Sequence, residues 1–262
     1  MTIENTLREF VGAAIRADGQ NLPVKKLKGD ASNRSYYRVG AAPSWVVMVM
    51  PLDATKSEEK TAGEPPKELP FVNVHRYLKG LGVRLPAILK YAPEQGLMIL
   101  EDLGDVTFEQ AQSQSAEARE KYYGRAIDLL AQLRARAEKA RDEDCLAFTR
   151  AFDTTLYDWE LHHFREYGLE ARYGVTPTPD ERARMDALFL DVAKRLDAEP
   201  KGFTHRDYQS RNLMVKGDEL VVIDFQDALQ GPRQYDLVAL LRDSYVQLDR
   251  PFIEKMLDRY LA

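Results

Sequence analysis

The stretch FTHRDYQSRNLMVKGDELVVIDF, residues 203–225, constrains the fold of this 262-residue chain more than any other. Two short apolar runs, 213–215 and 220–225, flank the polar turn KGDE, the pattern of a β-hairpin. With Val215 opposite Leu220, Asn212 falls opposite Ile223 and therefore beside Asp224. The open end of the hairpin then carries an amide oxygen and a carboxylate, hard donors of the kind Mg²⁺ accepts alongside phosphate oxygens. Asp207 lies five residues before Asn212, on the loop leading in. A carboxylate there, near a metal-bound nucleotide, can orient an attacking hydroxyl and accept its proton. His205 reads as a residue that pins the loop by hydrogen bonding rather than as a base.

The rest of the chain changes texture along its length. Residues 2–17 put Ile3, Leu7, Phe10, Val11 and Ala14 on one side of a helix. PVKKLK (23–28), YYRV (36–39), WVVMVM (45–50), AILKY (87–91) and GLMIL (96–100) read as strands, most of them rich in β-branched and aromatic residues. The turn-rich GDASNRS separates the first two. Residues 51–70 read as a polar surface loop, followed by a helix through Phe71, Val74, His75 and Leu78. Further on the pattern is helical at 116–140, 151–167, 178–197, 235–247 and 251–261. Tyr123, Ile127, Leu130 and Leu133 form the apolar stripe of the first of these. The expected class is α+β, with a β-rich lobe over 1–100, a hinge at 101–105 and a mainly helical lobe over 106–262.

A net charge of -5 and a pI near 5.6 argue against nucleic acid or an anionic membrane as partner, since both select a positive excess. There is no run of eighteen apolar residues, and MTIENTLREF lacks the basic-then-apolar layout of a secretion signal. Cys145 is the single cysteine, so no internal disulfide forms, and the expected setting is the reducing cytoplasm. A small molecule is the expected partner, with the oligomeric state left open.

HRDYQSRN followed by IDF resembles the catalytic loop and metal-binding motif of the protein-kinase-like superfamily. GDASNRSYYRV, ILEDLGD, THRDYQSRNLMV and IDFQDALQGPRQYDLVALLRDSY narrow the resemblance to the aminoglycoside phosphotransferase branch of small-molecule kinases. Within that branch the chain is most similar to the bacterial anomeric kinases of N-acetylmuramate and N-acetylglucosamine in cell-wall recycling. The likeness implies a bilobal protein-kinase-like fold. It also implies ATP- and Mg²⁺-dependent transfer of the γ-phosphoryl group to a sugar hydroxyl, the anomeric one. Another alcohol (an aminoglycoside, choline or homoserine) and a pseudokinase that only binds nucleotide are the alternatives.

Position by position, the resemblance implies Asp207 as catalytic base and Asn212 and Asp224 as Mg²⁺ ligands. Ala31, Ser32, Asn33, Arg34 and Ser35 would cover the phosphates, and the backbone of Glu101, Asp102 and Leu103 would receive adenine. Arg206, Gln209, Trp159 and Glu160 fall on the acceptor side. Asp236 matches a family aspartate that braces the catalytic loop. Two departures stand out. Met48 or Met50 occupies the place of the usual phosphate-binding lysine, leaving Lys28, Arg34 and Arg38 as cations that could supply its charge. Gln209 stands where relatives commonly carry histidine. The chain also stops inside a helix-like segment where relatives continue, which implies a compact protein or a fragment.

Overall fold

The computed structural model describes residues 2–27, 34–51 and 68–262. Lys28, Ala31, Ser32 and Asn33, and most of the expected 51–70 loop, lie outside the described residues. In chain order the elements begin with α1 (Ile3–Ile15), β1 (Val24–Lys26), β2 (Ser35–Gly40), β3 (Ser44–Val49), α2 (Pro70–Gly80), β4 (Ile88–Ala92), β5 (Leu97–Glu101) and α3 (Phe108–Gln112). They continue with α4 (Ala116–Lys139), α5 (Thr154–His163), α6 (Pro179–Asp197), β6 (Lys201–Thr204), β7 (Leu213–Lys216), β8 (Glu219–Val222), β9 (Leu229–Pro232), α7 (Tyr235–Leu241) and α8 (Arg250–Leu261). The α+β class holds. The elements group into two compact units, Met1–Tyr122 with Arg211–Ile223 and Tyr123–Ser210 with Asp224–Ala262.

The first unit is built on a five-stranded antiparallel sheet of order β1-β2-β3-β5-β4. Alternation along β3 sends Trp45, Val47 and Val49 to one face, where Leu7, Phe10 and Val11 of α1 meet them together with Val39, Leu97 and Ile99. Thr2 starts α1 by accepting from the Asn5 N–H, so the helix begins where its apolar stripe begins. Met48 points to the opposite face, is fully buried, and pairs in register with Tyr36 on β2 and Met98 on β5. The β7–β8 hairpin belongs to this unit. The Val215 N–H donates to Val106 O and the Val222 N–H to Arg84 O, each at 2.9 Å.

The hairpin register is the expected one, with Val215 opposite Leu220. Its turn is shorter than the four residues expected: Lys216 and Glu219 pair, leaving Gly217 and Asp218, and Gly217 takes a φ of 61° that glycine adopts without strain. The second strand also ends sooner than the apolar run 220–225 predicts. It stops at Val222 because Asp224 turns the chain with a φ of 61°.

In the second unit, α5 and α6 pack together and enclose a small core of Phe152, Tyr157, Ala193 and Leu229. Phe152 stacks on Tyr157 with ring centroids 4.8 Å apart and lies 4.7 Å from Tyr235. The helical region expected at 151–167 divides into α5 and a π-helical segment, Phe164–Arg172. The pair β6–β9 was not foreseen, since KGFT and LQGP show no alternation. Gly231 on β9 sits so close to β6 that a Cβ there would come within 2.8 Å of Thr204 Oγ1. The helix expected over 235–247 stops at Leu241, and Asp243 instead accepts hydrogen bonds from the Ser210 and Tyr245 N–H groups.

Because Leu7 is fully buried where α1 meets the sheet, Leu7→Ala should lower the unfolding free energy by about 2–5 kcal/mol through lost contacts and a residual cavity. Denaturant titration against wild type measures it, and a loss well under 1 kcal/mol would contradict this packing.

Candidate active site

The loop that carries Asp207 follows β6 and is held at both ends by buried carboxylates. Asp236 of α7, 1% exposed, accepts from two consecutive backbone N–H groups: His205 at 2.8 Å and Arg206 at 3.0 Å. Asp243 accepts from the Ser210 N–H at 2.8 Å. Between them the Tyr208 hydroxyl donates to Ala126 O at 2.9 Å, and the Tyr208 ring meets His205 edge-on. His205 is fully buried and pins the loop through its backbone. Arg206 has a φ of 81°, a left-handed conformation that costs a non-glycine residue about 1–2 kcal/mol.

This turn directs Asp207 into a half-buried position. Burial pushes its carboxyl up from the usual 3.8 to about 6, and the charge of Asp224 adds to the effect. Arg206 opposes the rise, while Asp227 and Glu160 contribute to it. A carboxylate so poised is mostly ionised at neutral pH yet binds a proton more readily than a solvated one, which suits a general base. The Gln209 N–H donates to Asp207 O at 2.9 Å, so Gln209 takes part in the loop through its backbone.

Asn212 stands just before β7, and its carbonyl accepts from the Ile223 N–H at 3.0 Å, extending the hairpin by one pair. Asp224 follows directly, its carboxylate exposed and accepting from Gln226 Nε2 at 2.9 Å. Each residue brings one oxygen donor of the hard kind that Mg²⁺ accepts, an amide oxygen on Asn212 and a carboxylate on Asp224. Among the described residues no group of three or more His, Cys, Asp or Glu gathers as a metal cage.

On the first unit, Arg34 leads into β2 and Ser35 is its first residue, opposite Val49. Arg38 grips Asp102 with two hydrogen bonds, 2.6 and 3.0 Å, and also reaches Asp105 at 2.9 Å. Burial pushes the Asp102 carboxyl up, but the bonds from Arg38, Ser44 and the Gly104 N–H outweigh it and leave the carboxyl below its usual range. Glu101 is bound by Arg84 at 2.6 Å, which holds its carboxyl down near 2, with help from Lys216 at 2.7 Å and the Ala87 N–H. Lys216 also donates to Asp102 O at 2.9 Å. The acidic side chains at 101 and 102 are thus engaged within the unit. Leu103 is half-buried.

The acceptor-side candidates lie on α5 and on the loop. Glu160 Oε1 accepts from Arg206 Nη2 at 2.8 Å. Trp159, 45% exposed, rests against His163 with centroids 3.9 Å apart. The pairs Arg206–Glu160, Arg38–Asp102 and Lys216–Glu101 escaped the sequence reading. Each spans at least 46 positions, and no local periodicity encodes such distances. Asp243 lay within a quoted motif, in RDSY, without a role assigned to it.

The fold of strands and helices is protein-kinase-like. The ADP-bound aminoglycoside phosphotransferase APH(2'')-Ib aligns with 99% of this chain and 82% of its own length, at a TM-score of 0.64 and 16% identity. A choline kinase from Streptococcus pneumoniae aligns with 98% of this chain and 80% of its own, at a TM-score of 0.65 and 15% identity. The profile of the phosphotransferase enzyme family matches residues 23–262, and the chain belongs to that family. Among curated relatives, an N-acetylmuramate/N-acetylglucosamine kinase of Pseudomonas aeruginosa is 32% identical over 234 residues, 88% of this chain and 63% of the relative. Its counterpart in Neisseria meningitidis is 31% identical, over 88% of this chain and 64% of the relative. The chain therefore spans less than two thirds of the length of these two relatives.

Removing the Asp236 carboxylate leaves the buried His205 N–H and the part-buried Arg206 N–H without this acceptor, so Asp236→Ala should destabilise the protein by about 2–5 kcal/mol. It should also shift the His205 and Arg206 amide resonances. A variant with unchanged thermal midpoint and unchanged resonances would refute the clamp.

Proposed function

We propose that this chain is an ATP-dependent small-molecule kinase of the cytoplasm that phosphorylates a sugar hydroxyl, the anomeric hydroxyl of N-acetylmuramate or N-acetylglucosamine. The observation that carries the reading is Asp207: one half-buried carboxylate, with its pKa raised to about 6, on a loop clamped by Asp236. The sugar-kinase relatives supply the acceptor class.

Asp207 aligns the hydroxyl and takes its proton as the oxygen attacks phosphorus. An anomeric hydroxyl is more acidic than an ordinary alcohol, so a carboxylate base is adequate. Asn212 and Asp224 would hold Mg²⁺, which would supply positive charge against that developing on the phosphates. The backbone of Glu101, Asp102 and Leu103 receives adenine, since the two acidic side chains are engaged elsewhere. Arg34 and Ser35, continuing from Ser32 and Asn33, cover the phosphates. Arg38 is committed to Asp102 and Asp105, and Lys28 or Arg34 would supply the charge of the lysine that Met48 or Met50 displaces. Arg206, Gln209, Trp159 and Glu160 shape the acceptor side.

A coupled ADP-release assay across amino sugars, aminoglycosides and choline tests the reading, with turnover expected on the amino sugars. Nucleotide binding without turnover on any acceptor would instead leave a pseudokinase. Asp207→Asn should cut kcat by about 10²–10⁴-fold while ATP binding persists. Its effect on stability has the opposite sign. A folded pKa of about 6 against 3.8 unfolded means this group's stabilising contribution is complete below pH 3.8 and lost as pH rises through 6. The neutral amide should therefore raise stability at pH 8 by about 1–3 kcal/mol. In wild type, kcat/KM should fall about tenfold per pH unit below pH 6; a flat profile down to pH 4 would remove Asp207 as the base. Asp224→Ala should weaken Mg-ATP binding at least about tenfold by calorimetry, and an unaltered affinity would count against its metal role.

A further inference from the structure

We infer that Lys216 is a positioning residue that sets the choice of nucleobase: by holding the Asp102 carbonyl it fixes the direction of the Leu103 N–H, the donor offered to adenine. The inference rests on the nucleotide role proposed above for the backbone of Glu101, Asp102 and Leu103, and deepens it. Lys216 is the last residue of β7. Its Nζ donates to Asp102 O at 2.9 Å and to Glu101 Oε1 at 2.7 Å, and both partners belong with it to the first unit. The Asp102–Leu103 peptide is trans, and in a planar trans peptide the C=O and N–H point in opposite directions. A carbonyl tied to Lys216 therefore turns the Leu103 N–H to the side away from the lysine.

The flanking contacts leave this orientation undecided. Before the peptide, the Glu101 N–H donates to Ala87 O at 2.9 Å, and the Glu101 carboxylate takes Arg84 at 2.6 Å and the Ala87 N–H at 3.1 Å. Around it, the Asp102 carboxylate takes Arg38 at 3.0 Å, Ser44 at 2.7 Å and the Gly104 N–H at 2.9 Å. These bonds anchor the chain on both sides, yet a peptide plane still rotates between anchored Cα atoms through ψ of Asp102 and φ of Leu103. Lys216 grips the plane itself. Turned over, the same peptide would present a C=O where the N–H had been. Purines register that exchange, because N1 of adenine accepts a hydrogen bond and N1–H of guanine donates one. The Lys216 side chain is 43% exposed, and an ion pair so exposed contributes little to stability, so its loss should act on orientation rather than on folding.

Calorimetric titration of the full chain with Mg-ATP and with Mg-GTP, without any acceptor, tests the assignment. Wild type should bind Mg-ATP the more tightly. Lys216→Met keeps the alkyl stem and loses the donor; it should weaken Mg-ATP binding about threefold to tenfold and leave Mg-GTP binding unchanged or tighter, so that the preference narrows. Lys121→Met removes another exposed lysine from the same hairpin, 3.0 Å from Asp218, and should leave both affinities at their wild-type values. A preference unaltered in Lys216→Met, an equal loss on both nucleotides in that variant, or a wild-type preference for Mg-GTP would each overturn the inference while nucleotide binding, and the kinase reading with it, stands. Wild type that binds neither nucleotide would overturn the kinase reading itself, and this inference with it.

Discussion

One buried carboxylate sets the geometry on which the candidate site depends. Taking a charge out of water costs several kcal/mol unless donors surround it, and burial pushes the Asp236 carboxyl up to about 7 against the pull of the His205 and Arg206 amides. Two consecutive N–H groups can converge on one acceptor only if the chain bends sharply between them. The 81° φ of Arg206 lies at that bend, directly before Asp207. The strained backbone of Arg206 belongs to this arrangement, while the elevated proton affinity of Asp207 comes first from burial and then from the charge of Asp224.

The first unit solves a different problem. On its strand β3 Met48 is fully buried and brings no charge. Within the unit, positive charge is instead spent on acidic partners at the end of β5, with Arg84 and Lys216 on Glu101 and Arg38 on Asp102. These pairs fix the backbone that is proposed to receive a base, using side chains from the sheet and from the β7–β8 hairpin. A surface ion pair contributes little alone, but the shared, part-buried carboxylates here hold three separate segments in register.

The sequence was most legible where a short-range period exists. The β-branched and aromatic run WVVMVM and the i, i+3, i+4 spacing of Leu7, Phe10 and Val11 predicted β3, α1 and the apolar side of α1. The hairpin register followed from Val215 and Leu220 alone. Legibility ended where a single backbone angle or a distant partner decides. Asp224 breaks the apolar run 220–225 by its positive φ, and β9, containing a glycine and a proline, pairs with β6 through Gly231 rather than through any pattern of its own. Asp207 and Asp236 were named from a motif. The arginine–carboxylate pairs that orient the loop and the end of β5 were not, because partners tens of residues apart leave no trace in local composition.

The composition of the first unit has a further consequence. Its sheet lies before residue 122, yet its hairpin is drawn from Arg211–Ile223, and the salt links of Glu101, Arg84 and Lys121 end on Lys216, Glu219 and Asp218 of that insert. No single cut in the polypeptide releases either unit whole. Ribosomal synthesis thus delivers the sheet long before the segment that completes it, and the acidic end of β5 stays only partly neutralised until some hundred residues more have emerged.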